Sequence, residues 1–353
     1  MKLALISDTH YGARSDNISI LDYQKSFFDN IFFPYLISNN IDTIVNLGDL
    51  VDRRKYINVY TANRMRKDFL EKIAENNMIM HIIPGNHDTY FRDTIKVNSL
   101  EALLSDIPNI KIYMHPTEIM FGNTEILLIP WICEENRKEC LDAIKNTKAQ
   151  VAFGHLELQG FEMHSGRFCE HGDDVKVFDK FDIVCSGHFH HKSTYQNINY
   201  LGNPFELTWS DYGDIKGFHV FDTDTRELEY IPNKFKLFQK IHYSDEEKKY
   251  NEVMNVDFNK YKNSYVKVIV HEKTNLFWYD KFISKLEEAG PIDIKAVDDH
   301  LNLDISDLDI VDQSKSTIDI MIETVKNISM TEEKENQLIS LLNSLYNESS
   351  SVV

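Results

Sequence analysis

The sequence predicts an α/β protein: a four-layer α/β/β/α sandwich, followed by a small β-α-β cap domain and a C-terminal helix pair. Up to about residue 235, short apolar runs bounded by turn residues alternate with segments of helical spacing. Such runs are typical of buried strands, and the alternation is typical of layered α/β domains. A shorter strand–helix–strand pattern and two short helical patterns follow a polar stretch.

Five apolar runs end directly on residues that can bind a metal ion. The runs are 3–6, 43–47, 78–83, 151–153 and 181–185. The residues that follow them and can bind a metal are Asp8, His10, Asp49, Asn86, His155, His188 and His190. Because ligands bind outside the carboxyl ends of strands in open α/β sheets, we expect these side chains to meet at one edge of one sheet. A pair of metals at such an edge indicates phosphoester hydrolysis.

The spacing within these motifs favours shared ions. Asp8 and His10 are two residues apart, so in an extended chain both side chains can reach one ion. His188 and His190 repeat that spacing, and the Asp49 carboxylate can bridge two cations. A nitrogen and oxygen donor set without thiolates suits transition metals better than Ca²⁺. We therefore expect two divalent cations, with Mn²⁺ favoured and Mg²⁺, Fe²⁺ or Zn²⁺ as the alternatives.

Other elements follow from the same patterns. Helical spacing is found at 22–38 and at 59–76, and each segment is followed by a strand-like run. Three further strand-like runs, at 111–114, 125–129 and 217–221, are assigned to a second sheet.

The chain divides into four predicted parts. Residues 1–240 form the main domain, 241–300 the cap domain, 301–315 an acidic linker and 316–348 a helix–loop–helix. The polar stretch 233–256 is expected to be a connection. The strands and helix of the cap are expected at 265–270, 277–289 and 292–297.

The C-terminal helix pair carries apolar stripes. They consist of Ile318, Met321, Ile322 and Val325 in the first helix and Leu338, Leu341, Leu342 and Leu345 in the second. Because so short a pair is not expected to fold alone, the stripes should dock either on the cap domain or in the groove of a partner protein.

Bulk composition excludes several classes of protein. The formal net charge of −18 argues against a generally basic surface for nucleic acids, although a local basic groove is compatible with it. No run approaches 18 apolar residues, no signal sequence is recognisable, and the four cysteines lack a Cys-x-x-Cys pairing. We therefore expect a cytoplasmic protein with ordinary thiols.

The motifs together resemble the calcineurin-like metallophosphoesterase superfamily. They read Asp8-x-His10, Gly48-Asp49-x-x-Asp52, Gly85-Asn86-His87-Asp88, Gly154-His155 and Gly187-His188-x-His190. Segments 129–136, 154–160 and 200–208 narrow the resemblance to SbcD-type double-strand-break repair nucleases, and within them to the recombination endonuclease subunits of T-even-like bacteriophages. The resemblance implies a Mn-dependent 3′→5′ exonuclease and single-strand endonuclease. It also implies a homodimer that acts on DNA with a coiled-coil ABC-type ATPase, in the host-cell cytoplasm if a phage encodes it.

The resemblance also implies roles for single residues. One metal would be held by Asp8, His10, Asp49 and His190, and the other by Asp49, Asn86, His155 and His188. His87 would act on the transition state without binding a metal. Asp52 stands where some cellular members carry histidine. Its carboxylate could orient His87 as an imidazolium or cap the next helix. Asp88 is expected to accept N–H groups of the loop and to have no catalytic role.

Basic residues near the site are candidate DNA contacts. These are Arg53, Arg54, Lys55 and Arg92. Further along, Arg64, Arg66 and Lys67 either contact DNA or form a solvated helix face. The helices at 59–76 and 94–104 carry apolar residues that either form a dimer contact or pack in the core.

Two other functions stay open at this stage. A phosphoprotein phosphatase or cyclic-nucleotide phosphodiesterase of the same superfamily is one, because Gly48-Asp49-x-Val51-Asp52-Arg53 is also similar to protein phosphatases. Those enzymes usually carry Glu in place of Asp88. The other is a scaffold without catalysis, although such proteins usually lose ligands and this chain keeps all of them.

Overall fold

The structure, a computed structural model, describes residues 1–164, 167–298, 338–339 and 341–342. The chain forms two compact units, Met1–Leu301 and Asn302–Val353. In the second unit, Leu338, Leu341 and Leu342 are helical. The other residues of the predicted apolar stripes, Ile318, Met321, Ile322, Val325 and Leu345, lie outside the described residues.

The strands of the first unit are numbered in chain order. They are β1 (Lys2–Ile6), β2 (Thr43–Asn46), β3 (Ile79–Ile82), β4 (Ile110–Ile112), β5 (Thr117–Phe121), β6 (Thr124–Ile129), β7 (Val151–His155), β8 (Glu162–His164), β9 (Arg167–Phe168), β10 (Ile183–Gly187), β11 (Ser193–Tyr195), β12 (Ile198–Tyr200), β13 (Gly217–Asp222), β14 (Leu228–Pro232), β15 (Phe238–Ser244), β16 (Tyr265–Glu272) and β17 (Asp293–Asp298).

The helical segments are of three kinds. The α-helical ones are Ala13–Asp16, Ile18–Phe27, Phe33–Ser38, Val59–Met65, Glu71–Glu75, Ser99–Leu104, Arg137–Asn146, Tyr250–Val253 and Leu276–Glu288. Two π-helical segments, Phe28–Phe32 and Arg66–Leu70, join neighbouring helices. Short 3₁₀ turns lie at Val175–Phe178, Trp209–Asp211 and Phe258–Tyr261. The structure thus confirms the helical segments predicted at 22–38 and 59–76.

Two six-stranded mixed sheets form the body of the first unit. The first has the order β14-β13-β1-β2-β3-β4, with β1 to β4 parallel. The second has the order β11-β12-β10-β7-β6-β5, with β12, β10, β7 and β6 parallel. The strands predicted at 111–114 and 217–221 therefore lie in the first sheet, and only the one at 125–129 lies in the second. The runs alone did not show which strands pair, because β13 pairs with β1 and β4 pairs with β3, and each pair joins distant segments of the chain.

Apolar side chains of both sheets meet in one buried cluster. Leu3 and Val45 of the first sheet belong to it, as do Ile126 and Phe153 of the second. Alternate residues of the same strands, such as Ile6, belong to a separate cluster with the helices. A strand that is covered on both faces carries apolar side chains on both, which explains why these strands appear in the sequence as continuous apolar runs.

The helices around Phe69 and Leu100 pack in the core. Both side chains are buried in the cluster between the first sheet and its helices, together with Leu70, Ile73 and Leu104. Core packing therefore accounts for these apolar residues without a dimer contact. At the start of the helix Val59–Met65, by contrast, Val59 is 85% exposed and Tyr60 is 49% exposed.

A parallel three-stranded sheet, in the order β15-β16-β17, follows the two larger sheets. Its apolar face packs on the helix Leu276–Glu288 through residues such as Val268 and Phe282. The prediction that 233–256 is only a connection was wrong, since β15 lies within it. The buried residues of β15 do not alternate strictly, which obscured the strand. No helix in the described parts of the chain is long and apolar enough to cross a membrane.

Candidate metal centre

The predicted ligands come together at the carboxyl ends of strands from both large sheets. Strands β1, β2 and β3 of the first sheet lead to the loops of Asp8, Asp49 and Asn86. Strand β7 ends on His155, and β10 leads to the loop of His188. The expectation of one edge of one sheet was wrong, because the second sheet contributes its own histidines across the interface between the sheets.

The first cluster of donor atoms contains Asp8, His10 and His190. The Nε2 atoms of His10 and His190 are 2.9 Å apart. The Nε2 atom of His10 also lies 4.0 Å from Oδ1 of Asp8 and 3.7 Å from Oδ2 of Asp49. A single ion could therefore reach donors from β1, β2 and β10 at once.

The second cluster contains Asp49, His155 and His188. The Oδ1 atom of Asn86 lies 2.9 Å from Nε2 of His155 and 2.9 Å from Nδ1 of His188. The Nε2 atom of His155 is 3.4 Å from Oδ2 of Asp49. The same Asp49 oxygen therefore reaches donors of both clusters, which is the geometry that a bridging carboxylate needs.

The contact between His155 and Asn86 shows that this donor set fits a cation. The Nδ1 atom of His155 lies 2.7 Å from the carbonyl oxygen of Leu47, and it can only donate there. Its Nε2 atom then faces the Asn86 oxygen, which is itself an acceptor. A proton or a metal cation at Nε2 makes this contact favourable. The clusters are thus consistent with a site for two metal ions.

Burial and charge set the protonation of these groups. Burial lowers the pKa of His10 and of His188 well below the ordinary value, which favours the neutral form that binds metals. Burial also lowers the pKa of His155, but the Asp49 carboxylate outweighs it and raises the value to about 9. Burial opposes the charge of Asp49, yet His155 and His87 bring its pKa well below the ordinary value. A cation therefore competes with a proton for His155.

Four candidate ligands have left-handed backbone conformations. The φ angles are +54° for Asp8, +44° for His10, +53° for Asp49 and +92° for His188. A residue other than glycine in such a conformation costs roughly 1–3 kcal/mol and persists where the surrounding structure enforces it. These angles also mean that Asp8 and His10 are not two residues of an extended strand. They converge because the loop turns after β1.

Gly85 permits a close approach between two loops of the site. A Cβ atom at this position would collide with the main-chain nitrogen and the Oδ1 atom of Asp49 and with the ring of His155. The glycine is therefore required by space rather than by its backbone angles.

Asp88 has the structural role that was predicted for it. Its Oδ2 atom accepts the N–H groups of Asp49 at 2.8 Å and Gly85 at 2.9 Å. Its Oδ1 atom accepts those of Leu50 at 3.0 Å and Val51 at 3.3 Å. This buried carboxylate thereby fixes the Asp49 loop. Burial, followed by the nearby Asp49 charge, raises its pKa to about 7.

His87 lies beside the first cluster, with its ring centroid 4.7 Å from that of His10. Its Nδ1 atom is 2.5 Å from the main-chain carbonyl oxygen of Asp52. The hydrogen bond predicted to the Asp52 carboxylate is therefore made by the main chain instead. That carboxylate lies 3.6 Å from Nδ1 of His10, and burial raises its pKa. Asp52 does not cap the next helix, whose N-cap is Asn58.

Comparison with known proteins identifies the family. A model of the calcineurin-like phosphoesterase family matches residues 1–192, more than half of the chain. The chain belongs to the calcineurin-like phosphoesterases. It is 32% identical over 349 residues to exonuclease subunit 1 of Enterobacteria phage T4, with 99% of each chain covered.

Two other relatives of this calcineurin-like phosphoesterase are more distant. The DNA double-strand break repair protein Mre11 of Methanocaldococcus jannaschii is 25% identical over 337 residues, with 88% of both chains covered. A subunit of the nuclease SbcCD from Staphylococcus epidermidis is 24% identical over 255 residues, which cover 65% of this chain and 67% of that protein.

The phosphoesterase site also includes Trp131, which the sequence analysis did not select. The centroid of its ring lies 5.2 Å from that of His188 and 6.0 Å from that of His155. Its main-chain N–H donates to Pro84 at 2.9 Å. A usable signal was its position two residues after the apolar run that forms β6, at the same sheet end as His155.

The basic residues near the phosphoesterase site differ in their contacts. Arg53 forms an ion pair with Asp16 at 2.8 Å. Lys55 lies over the ring of Tyr90, 6.0 Å from its centroid. Burial and then the charge of Arg92 lower the pKa of Arg54, while Asp49 opposes them. The Nη1 atom of Arg54 is buried and has no hydrogen-bond partner among the described residues.

Arg64 and Arg66, further along the helix, are engaged in ion pairs. Arg64 lies 2.6 Å from Asp68 and 2.9 Å from Asp22, and Arg66 lies 3.0 Å from Asp106. These pairs engage both guanidinium groups within the protein, which argues against a DNA contact.

Proposed function

We propose that this phosphoesterase is a two-metal DNA nuclease that processes DNA ends in recombination and double-strand-break repair. Its activities are those of a 3′→5′ exonuclease and a single-strand endonuclease. The observation that carries the proposal is the Asp49 oxygen, 3.7 Å from one donor cluster and 3.4 Å from the other. The similarity to exonuclease subunit 1 over 99% of both chains supports DNA as the substrate.

The residues divide into two metal sites that share one carboxylate. Asp8, His10, Asp49 and His190 hold one ion, and Asp49, Asn86, His155 and His188 hold the other. Mn²⁺ is the proposed ion, because nitrogen and oxygen donors without thiolates suit it. Two such ions, when bound, supply positive charge to the phosphodiester oxygens and lower the pKa of a water molecule.

His87 is the proposed catalytic histidine. Because its Nδ1 atom bonds to a carbonyl oxygen, Nδ1 carries a proton and Nε2 is the atom available to the substrate. Its own main-chain N–H donates to Oδ1 of Asp49 at 2.7 Å, which fixes the ring relative to the bridging carboxylate. From this position His87 can stabilise charge or donate a proton as the leaving oxygen departs.

Arg54 is the proposed contact to the substrate phosphate. Its guanidinium is largely withdrawn from water and close enough to Asp49 for the two charges to interact. A buried Nη1 atom without a hydrogen-bond partner in the described parts of the chain is suited to a bound anion. Arg53, Lys55 and Arg92 extend this basic surface, along which the DNA backbone would lie.

Each part of the chain has its own proposed role. The four-layer nuclease domain, predicted to end at residue 240, ends instead just before β15, which begins at Phe238. The three-stranded sheet and its helix are the DNA-binding cap, and 301–315 is a linker. Residues 316–348, most of which lie outside the described residues, are the proposed helix–loop–helix for a coiled-coil ABC-type ATPase, and the nuclease acts as a homodimer. The names of two relatives, each called a subunit, support a partner.

The function is tested with metal-free protein supplied with Mn²⁺ and single- or double-stranded DNA labelled at either end. We expect stepwise loss from the 3′ end and internal cuts in single strands. Asp49→Asn should lose activity and both ions, whereas His87→Ala should lose activity and keep both ions. A preference for a phosphopeptide or a cyclic nucleotide over DNA would contradict the proposal and favour the alternative phosphoesterases. An unaltered protein that binds no Mn²⁺ would indicate a scaffold.

A further inference from the structure

Lys216 lies inside the protein beside the loop that carries His188 and His190. Its side chain is only 1% exposed, and it directly precedes β13. Burying an ammonium group costs roughly several kcal/mol of free energy unless hydrogen-bond partners in the protein replace the water. A buried lysine close to a candidate metal site therefore requires an explanation from its contacts.

All three N–H groups of the Lys216 ammonium have partners. Its Nζ atom lies 2.7 Å from Oδ1 of Asp211, 2.8 Å from Oδ2 of Asp214 and 2.9 Å from the main-chain carbonyl oxygen of His190. The two carboxylates supply the charge that a buried lysine needs. The third bond connects this group of charges, the Lys216 cluster, to the peptide of a candidate metal ligand.

The carboxylates of the Lys216 cluster are themselves fixed. The Oδ2 atom of Asp211 accepts two main-chain N–H groups at 2.9 Å. The Oδ1 atom of Asp214 lies 3.1 Å from Nδ1 of His191, the residue after His190. The cluster therefore contacts the ligand loop at two consecutive residues, through a carbonyl oxygen and through a ring.

The carbonyl oxygen of His190 accepts a second bond from the N–H group of Asn203, at 3.2 Å. Gly202, with φ of +70°, passes so close that a Cβ atom there would lie 2.9 Å from the same oxygen. Because both lone pairs of the oxygen are used, the plane of this peptide is fixed. That plane sets the direction in which the His190 ring leaves the main chain, toward Nε2 of His10 at 2.9 Å.

The second donor cluster is held by other contacts. His155 is fixed through Leu47, and the main-chain N–H of His188 donates to the Asp8 carboxylate at 3.1 Å. Neither contact involves Lys216, Asp211 or Asp214. Loss of the Lys216 cluster should therefore affect the two metal sites unequally.

We propose that Lys216 is a positioning residue that, together with Asp211 and Asp214, holds the His190 peptide and thereby sets the affinity of the metal ion bound by His190. The inference rests on the proposed two-metal function. Replacement of a buried group of charges by apolar residues is often neutral or stabilising, so stability alone does not account for the cluster. Residues that orient a metal ligand typically change metal affinity by about 10–100-fold.

The test compares Mn²⁺ binding by metal-free, full-length variants in titration calorimetry. The unaltered protein should bind two ions. Lys216→Met should bind one of them at least tenfold more weakly and the other within twofold of the unaltered protein. His190→Ala should weaken the same ion, which identifies it, whereas His155→Ala should weaken the other.

Two further variants separate positioning from folding. Lys216→Met leaves two buried carboxylates without their cation, so a triple variant with Asp211→Asn and Asp214→Asn removes that charge as well. It should fold and show the same selective loss of one ion. Arg64→Met removes a partly buried arginine paired with Asp68 at 2.6 Å, far from the ligand loop in the chain. It should lower thermal stability and leave both Mn²⁺ affinities unchanged.

The outcomes distinguish this inference from the proposed function. If the triple variant binds both ions as the unaltered protein does, or loses both equally, the positioning role is wrong while the two-metal function stands. If the unaltered protein binds two ions but does not cut DNA, the proposed nuclease function is wrong. The role of Lys216 is then still decided by whether its variants lose affinity for one Mn²⁺ ion and not for the other. If the unaltered protein does not bind two ions, both are overturned.

Discussion

The Nδ1 atom of His87 lies 2.5 Å from the main-chain carbonyl oxygen of Asp52. The main chain, and not the carboxylate, therefore holds the proposed catalytic ring. This relationship fixes which nitrogen carries the proton, because a carbonyl oxygen can only accept. Residue 52 can therefore hold the His87 ring through its main chain, whichever side chain it carries.

His87→Ala and Asp52→Asn should consequently differ in their effects. Loss of His87 should lower kcat by about 10²–10⁴-fold, the usual contribution of a proton-transferring group, with metal binding retained. Asp52→Asn keeps the carbonyl and should lower kcat by about tenfold or less. Steady-state kinetics on single-stranded DNA with saturating Mn²⁺ measures both. Equal losses in the two variants would show that the carboxylate, and not the carbonyl, supports His87.

Gly85→Ala should abolish metal binding. The added methyl group would collide with the main chain of Asp49 and with His155, so the two loops must separate. The matched control is Gly213→Ala. At that position φ is +81°, but no atom of the residues that the structure describes lies within 4 Å of the added carbon, apart from the glycine and its chain neighbours. The control should cost about 1 kcal/mol of backbone strain and leave metal binding intact. Mn²⁺ calorimetry and thermal unfolding of both variants check this, and tight binding of two ions by Gly85→Ala would contradict it.

Arg54→Ala should weaken DNA binding while both metal ions remain bound. If Arg54 contacts a phosphate, its loss should reduce the slope of log affinity against log salt by about 1. Arg66→Ala is the control, because that exposed arginine pairs with Asp106 at 3.0 Å. It should leave the slope unchanged. Fluorescence anisotropy of labelled DNA across a salt series provides the measurement, and an unchanged slope in Arg54→Ala would remove this residue from the interface.

The protein should lose stability as the pH falls below about 6.5, in part through His219. Burial, followed by the charge of Lys192, lowers the pKa of His219 to about 3, and its ring lies against that of Tyr230, tilted by 53° with the centroids 5.1 Å apart. Between these values the unfolded chain binds a proton that the folded protein does not, so acid favours unfolding. The expected loss from this group is about 2 kcal/mol between pH 7 and pH 5.

His219→Phe should therefore reduce the pH dependence while keeping an aromatic ring beside Tyr230. Urea unfolding of both proteins at pH 7 and pH 5 gives the four free energies of unfolding. The difference between the two pH values should be smaller in the variant by about 2 kcal/mol. The same difference in both proteins would show that His219 does not contribute.

The sequence by itself determined which residues are the candidate metal ligands and what chemistry they suit. Asp8, Asp49 and His155 each follow an apolar run, and a strand that is buried on both faces must end before a polar side chain can reach solvent or a metal. The structural role of Asp88 was also predictable, since a buried carboxylate needs N–H donors and the loop around it supplies them. Local pattern is enough for such statements because each concerns a residue and its neighbours in the chain.

Only the tertiary structure decided how these residues meet. It showed that two sheets, and not one, provide the ligands, and that a carbonyl oxygen holds His87. It also brought Lys216 to the peptide of His190, 26 residues away in the chain. These relationships depend on strand pairing and on left-handed turns after the strands. Both are set by packing energies between distant segments, which leave no periodic signal in the sequence.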